Sequence, residues 1–186
     1  MKMTLHEVFN KINALSIDGN EHLIVIDPEG NVLGEELGGK DSVYCGNIDF
    51  VKGGTIVHNH PVGVSLSLPD LCVASGAGCK IFALTVDGSE YWSHGFVKSL
   101  EESEGPYKAL MEDETEKMTE LVFFAHAHPW MSFDGHMADR IFTHWLNTRM
   151  SEVGLIDYGA RLKGESADFF AAFLNVQRAY NYREAA

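Results

Sequence analysis

Gly54-Thr-Ile-Val-His58-Asn-His60-Pro-Val-Gly-Val-Ser-Leu-Ser67-Leu-Pro-Asp70 reads as a short β-strand, a tight loop and the first turn of a helix. The β-branched run after Gly53-Gly54 marks the strand. Residues i and i+2 of an extended segment point the same way, so His58 and His60 present their imidazoles together. Gly63 lets the loop fold back towards the pair. Ser67-x-x-Asp70, with Pro69 in the first turn, opens a helix in the manner of a capping box. Capping alone accounts for Ser67 and Asp70, but not for a His-Asn-His-Pro directly after a strand. Two imidazoles and one carboxylate form a ligand set for a catalytic Zn²⁺, with a fourth position left for water. The metal would lower the pKa of that water, a nearby carboxylate could take its proton, and Ser67 is placed to help hold a developing oxyanion.

On the N-terminal side, Leu5, Val8, Phe9, Ile12 and Leu15 recur at helical spacing over residues 4–15, which predicts a short amphipathic helix. His22–Asp27 and Asn31–Leu37, joined by Pro28-Glu-Gly30, predict a β-hairpin. On the C-terminal side, the helix opened by Ser67 runs to about Ser75, where Gly76 and Gly78 end it. Lys80–Val86, Asp87-Gly88 and Ser89–His94 then predict a second hairpin. Helix, hairpin, strand, helix, hairpin make a compact α/β domain over residues 1–97.

Beyond residue 97 the pattern becomes helical. Between residues 100 and 120 there are eight acidic and two basic residues, yet Tyr107, Leu110, Met111, Met118 and Leu121 keep an apolar stripe. Met137–Met150 and Ala167–Tyr180 predict two more helices, the second capped by Ser166. Met111, Met118, Trp145, Phe169, Phe170, Phe173 and Tyr180 read as core. Residues 98–186 are therefore expected to be an all-helical C-terminal extension. Its Leu121-Val-Phe-Phe-Ala-His126-Ala-His128-Pro…His136-Met-Ala-Asp139 repeats the His-x-His-Pro pattern. Here the helical stripe runs into His126, and residues i and i+2 diverge on a helix. The reading is histidines at a helix C-terminus, where dipole and free carbonyls favour them. His136, Arg140 and His144 read as a polar helix face, with a second metal site at His126, His128, His136 and Asp139, or a partner- or substrate-facing role beside the first site, as the alternatives.

Composition narrows the function. The 186 residues carry 14 Lys+Arg against 27 Asp+Glu, a net charge of −13. That charge argues against phosphate backbones and anionic membranes as partners. The first arginine is Arg140, so the chain's first three-quarters lack the side chain best suited to bidentate phosphate contacts. Three cysteines (Cys45, Cys72, Cys79) without CxxC spacing point to a reducing, cytoplasmic setting, and Cys45 and Cys72 read as buried small residues. No apolar run reaches membrane-spanning length.

The motif His58-Asn-His60-Pro…Ser67-x-x-Asp70, followed by a short helix and Phe82-Ala-Leu-Thr-Val-Asp-Gly-Ser-Glu-Tyr91, resembles the JAMM/MPN (JAB-type) zinc metalloprotease superfamily. The HNHP form is similar to its prokaryotic branches, RadC-like proteins and the JAB domains of phage and polymorphic-toxin proteins. The resemblance covers about residues 20–97. It implies a JAB/MPN-like mixed sheet flanked by helices and a Zn²⁺ held by His58, His60 and Asp70. It also implies Ser67 at the transition state and a peptide or isopeptide bond as target. The family's usual seven residues between the second His and the Ser are six here (61–66). The family also uses an upstream glutamate as general base. Counted from the hairpin turn this is Glu36, with Glu35, facing the other side of a regular strand, as the alternative. Glu7 and Glu21 rank below both. Trp92 and His94 are candidates for the border of the site.

Three functions follow as expectations. The first is a Zn²⁺-dependent hydrolase acting on a protein or peptide substrate, basic or neutral given the acidic chain. The second is a non-catalytic JAB-fold assembly module whose helices bind another protein. The third, RadC-like nucleic-acid metabolism, is weakened by the charge.

Overall fold

The computed structural model describes residues 1–40, 42–43 and 51–184; the reading of Cys45 lies outside them. Helix α1 (Leu5–Leu15) opens with a capping box between Thr4 and Glu7. The first hairpin is β1 (His22–Ile26) and β2 (Val32–Leu37). Then come β3 (Thr55–His60), α2 (Leu68–Ala77), β4 (Lys80–Thr85) and β5 (Glu90–Phe96). The remainder is α3 (Leu100–His126), α4 (Gly135–Glu152), β6 (Ile156–Arg161) and α5 (Gly164–Glu184).

The six strands form one mixed sheet in the order β2-β1-β3-β4-β5-β6. Only β3 and β4 are parallel, joined by α2 as a crossover; their neighbours pair antiparallel. One face carries Ile24, Ile26, Val57, Phe82 and Leu84 and packs on Val8 and Ile12 of α1. The other carries Leu23, Val25, Ile56, Ile81, Ala83 and Tyr91, covered by Leu71 and Ala74 of α2 and Leu146 and Met150 of α4. A separate cluster around Met118, Leu121, Phe124, Ile141 and Phe173 ties α3, α4 and α5 together. Among the described residues, no helix is long and apolar enough to cross a membrane.

The α/β architecture with a mixed sheet flanked by helices agrees with the sequence reading. The expectation of an all-helical C-terminal extension does not. Strand β6 joins the edge of the sheet, antiparallel to β5. Its alternation is visible in retrospect: Ile156, Tyr158 and Ala160 pack on the core shared with α4, while Asp157 and Arg161 are exposed. Gly159 hid the strand, because a Cβ there would sit 2.4 Å from the Trp92 indole, so the one residue that breaks β-propensity is required by its cross-strand neighbour. Ser166 is not a cap either. Helix α5 begins at Gly164, and the Ser166 N–H donates to Asp87 Oδ2 at 2.8 Å. Cys79 is buried, but Cys72 is only half-buried.

Candidate metal centre

Strand β3 runs through both histidines, so His58 and His60 lie on the face packed by α2. His58 is 2% and His60 5% exposed. Their Nε2 atoms lie 2.8 Å apart. The loop turns back at once, with Gly63 N–H donating to the His60 carbonyl at 3.0 Å and Gly63 at φ +71°. The capping box then aims the carboxylate. Ser67 N–H and Oγ–H both donate to Asp70 Oδ2 at 2.7 Å, and Asp70 N–H returns to Ser67 Oγ at 3.4 Å. Capping and ligand placement are thus one arrangement: Asp70 Oδ1 lies 3.6 Å from His58 Nε2 and Oδ2 3.6 Å from His60 Nε2.

These three residues are the only group of three or more His, Cys, Asp or Glu among the described residues whose ligand atoms lie within 4.8 Å of one another. Tetrahedral ligands at about 2.0–2.1 Å from a Zn²⁺ stand roughly 3.4 Å apart; each carboxylate oxygen lies near that distance from one imidazole nitrogen, and the imidazole pair would have to open by about half an ångström. The protonation chemistry also fits. Burial pushes His58 down to about 4, against the pull of Asp70, so its imidazole is neutral at neutral pH. Burial pushes the Asp70 carboxyl up, but the adjacent imidazoles His58 and His60 and the Ser67 hydrogen bonds outweigh this and hold it below the usual carboxylate value.

The two histidines are not equivalent. His60 Nδ1 donates to the Val64 carbonyl at 2.9 Å, because a carbonyl can only accept. Neutral His60 therefore carries its lone pair on Nε2, the state a metal needs. His58 Nε2–H must then be the donor between the two rings, while buried His58 Nδ1 has no partner among the described residues. Metal uptake at His58 Nε2 requires that proton to move to Nδ1 or leave. The residues between and beside the ligands are structural. Asn59, buried on the opposite face, accepts from His22 N–H at 2.7 Å and donates to the Asn20 carbonyl at 2.8 Å, fixing the start of β1 to β3.

The two candidate bases separate cleanly. In the sheet register Leu23 stands opposite both Glu36 and His58, so Glu36, Leu23 and His58 form one cross-strand row on one face. Glu36 is exposed and lies two strand spacings from His58, roughly 10 Å at the backbone. Glu35 points to the other face, where Lys11 of α1 pairs with it at 2.5 Å. Glu7 is spent on the α1 cap, and Glu21 is buried just before β1.

Trp92 lies in a cross-strand row with Phe82 and Val57 on the α1 face, away from the centre. His94 bonds Asp157 at 2.6 Å. In the second His-x-His-Pro, His126 ends α3 and His128 Nδ1 donates to the Phe124 carbonyl at 2.7 Å, as expected of a helix terminus. His144 departs from the polar-face reading: it is buried, with Nδ1 2.7 Å from Tyr158 Oη. Sequence reasoning also missed the Val64 carbonyl, since no side-chain pattern marks a backbone acceptor. In comparisons with protein-family models, curated proteins and solved structures, nothing matches this chain.

Proposed function

We propose that the chain is a Zn²⁺-dependent hydrolase of JAMM/JAB type that cleaves a peptide or isopeptide bond. The observation that carries this reading is the convergence of His58 Nε2, His60 Nε2 and the Asp70 carboxylate on the face where Glu36 stands in the same row as His58. A bound Zn²⁺ supplies Lewis-acid polarisation and makes water acidic near neutral pH. Glu36 takes the proton of the attacking water on a carboxylate oxygen and returns it to the leaving amine. His60, locked in one tautomer by Val64, and neutral His58 would hold the cation together with Asp70. Ser67 Oγ–H, bonded to Asp70 Oδ2, turns to the substrate carbonyl oxygen as that oxygen gains charge. The net charge of −13 favours a basic or neutral protein as substrate.

The test is cleavage of lysine-rich peptides and of a Gly–Lys isopeptide panel by the Zn²⁺-loaded chain. Cleavage that depends on the metal and falls about 10²–10⁴-fold in Glu36→Gln, with metal content retained, supports the reading. Cleavage unchanged in Glu36→Gln, or absent across the panel, counts against it.

A further inference from the structure

The loop that shapes the metal centre is held by the far half of the chain. Ser65, 1% exposed, places Oγ 2.7 Å from Tyr158 Oη on β6. Tyr158 Oη also lies 2.7 Å from His144 Nδ1 on α4. Asn147, one turn along α4 from His144, donates Nδ2 to Ser65 Oγ at 3.2 Å and to the Leu66 carbonyl at 2.8 Å.

The protons in this chain have one consistent direction. An Asn amide nitrogen only donates, so Ser65 Oγ accepts from Asn147 and gives its own proton to Tyr158. Tyr158 then gives its proton to His144 Nδ1. Burial pushes His144 down to about 4, which leaves the ring neutral with one nitrogen able to accept, and pushes the Tyr158 phenol well above its ordinary value, which keeps it a donor. The reverse direction would leave the buried Ser65 hydroxyl proton without an acceptor. Ser65 and Leu66 directly follow Val64, whose carbonyl takes the His60 Nδ1 proton.

We propose that Ser65, Asn147, Tyr158 and His144 are positioning residues of the metal centre, clamping residues 64–66 so that the Val64 carbonyl stays on His60 Nδ1 and His60 Nε2 stays unprotonated and aimed at His58 and Asp70. The proposal rests on the metal-centre reading above. It gives β6 and α4 a part in the site that neither helical packing nor sheet completion requires. None of the four residues touches the cation; they act through the loop.

The test measures the Zn²⁺ affinity of the full-length chain by competition with a chromophoric chelator, at a temperature where every variant is folded. Ser65→Ala and Tyr158→Phe, which remove one hydroxyl each, are expected to weaken Zn²⁺ binding about tenfold or more, the scale of lost ligand-orienting partners. The double variant is expected to be no weaker than the worse single, because both break one chain. Glu114→Gln, which disturbs the α3–α4 packing away from the loop, is expected to keep wild-type affinity even where it lowers stability. Wild-type affinity in both single variants, or an equal loss in Glu114→Gln, overturns the proposal. Failure of the metal-centre reading looks different, because the wild-type chain then takes up no Zn²⁺. In that case the His60 tautomer in the metal-free chain decides, read by long-range ¹H–¹⁵N NMR. Nδ1–H in the wild type, giving way to a tautomer mixture in Tyr158→Phe, sustains the clamp; identical tautomers in both overturn it.

Discussion

At the residue scale, the candidate centre sets two neighbouring histidines and two neighbouring glutamates in different surroundings. His60 has its tautomer set by Val64, and His58 supplies an imidazole that burial keeps neutral. Glu36 shares the His58 row, while Glu35 is an ion-pair partner of α1. Glu35→Gln is therefore expected to leave peptide cleavage within about twofold of wild type while costing up to about 1 kcal/mol in urea melts, the range of an exposed ion pair. Burial also makes the fold acid-sensitive. His144 titrates near 4 when folded but near 6.5 when unfolded. The unfolded chain thus takes up the proton first on acidification, and this contribution is full above about pH 6.5 and lost as pH falls towards 4. The unfolding free energy of metal-free protein from urea melts should drop across that window, on the order of 3 kcal/mol from His144, with His58 acting in the same direction. His144→Phe should flatten the drop; a profile level from pH 7 to 4.5 would show that these imidazoles are not buried neutral. Gly63→Ala would force φ +71° on an L-residue, and is expected to cost about 1–2 kcal/mol and to loosen metal binding.

At the scale of elements, two contacts carry the helices that matter. Helix α2, which brings Asp70, lies so close to the bulge of β5 that a Cβ on Gly95 would fall 2.6 Å from the Ser75 backbone nitrogen and 2.7 Å from the Leu71 carbonyl. Gly95 also has φ +82°. Gly95→Ala is expected to cost about 2 kcal/mol or more and to weaken metal binding by displacing α2. Helices α3 and α4 are joined by Glu114, 0% exposed, which accepts from Trp145 Nε1 at 2.7 Å and Arg149 Nε at 3.1 Å, with Lys117 Nζ at 3.3 Å. Glu114→Ala strands those donors and should cost about 3 kcal/mol in urea melts, with no change in metal content. The hairpins, α1, α2 and the long acidic helix were legible because each combines periodicity with explicit turn or capping residues. Strand β6 was not: six residues with Gly159 in the middle, between two helices, look like a connection until Trp92 explains the glycine.

At the scale of the whole molecule, the acidic chain folds around one sheet to which both halves contribute. Leu146, Met150 and Ile156 lie in the same core as Leu23, Ile56 and Tyr91. Residues 1–97 expressed alone are accordingly expected to lack a cooperative thermal transition and to bind no metal; a folded, metal-binding fragment would show that β6 and α4 are dispensable. The grouping of His58, His60 and Asp70 was legible because strand alternation and a capping box are local rules. Ser65, Tyr158, His144 and Asn147 were not, because the bonds that tie Ser65 and Leu66 to Asn147 and Tyr158 join positions 81 to 93 residues apart in sequence, and the His144–Tyr158 bond depends on β6, which was itself not read. The most direct test of the metal centre is the Zn²⁺ content of the purified full-length chain by elemental mass spectrometry, beside His58→Ala, His60→Ala and Asp70→Asn. A stoichiometric ion in the wild type that is lost in all three variants is the predicted result. No metal in the wild type, or equal metal in the variants, would contradict it.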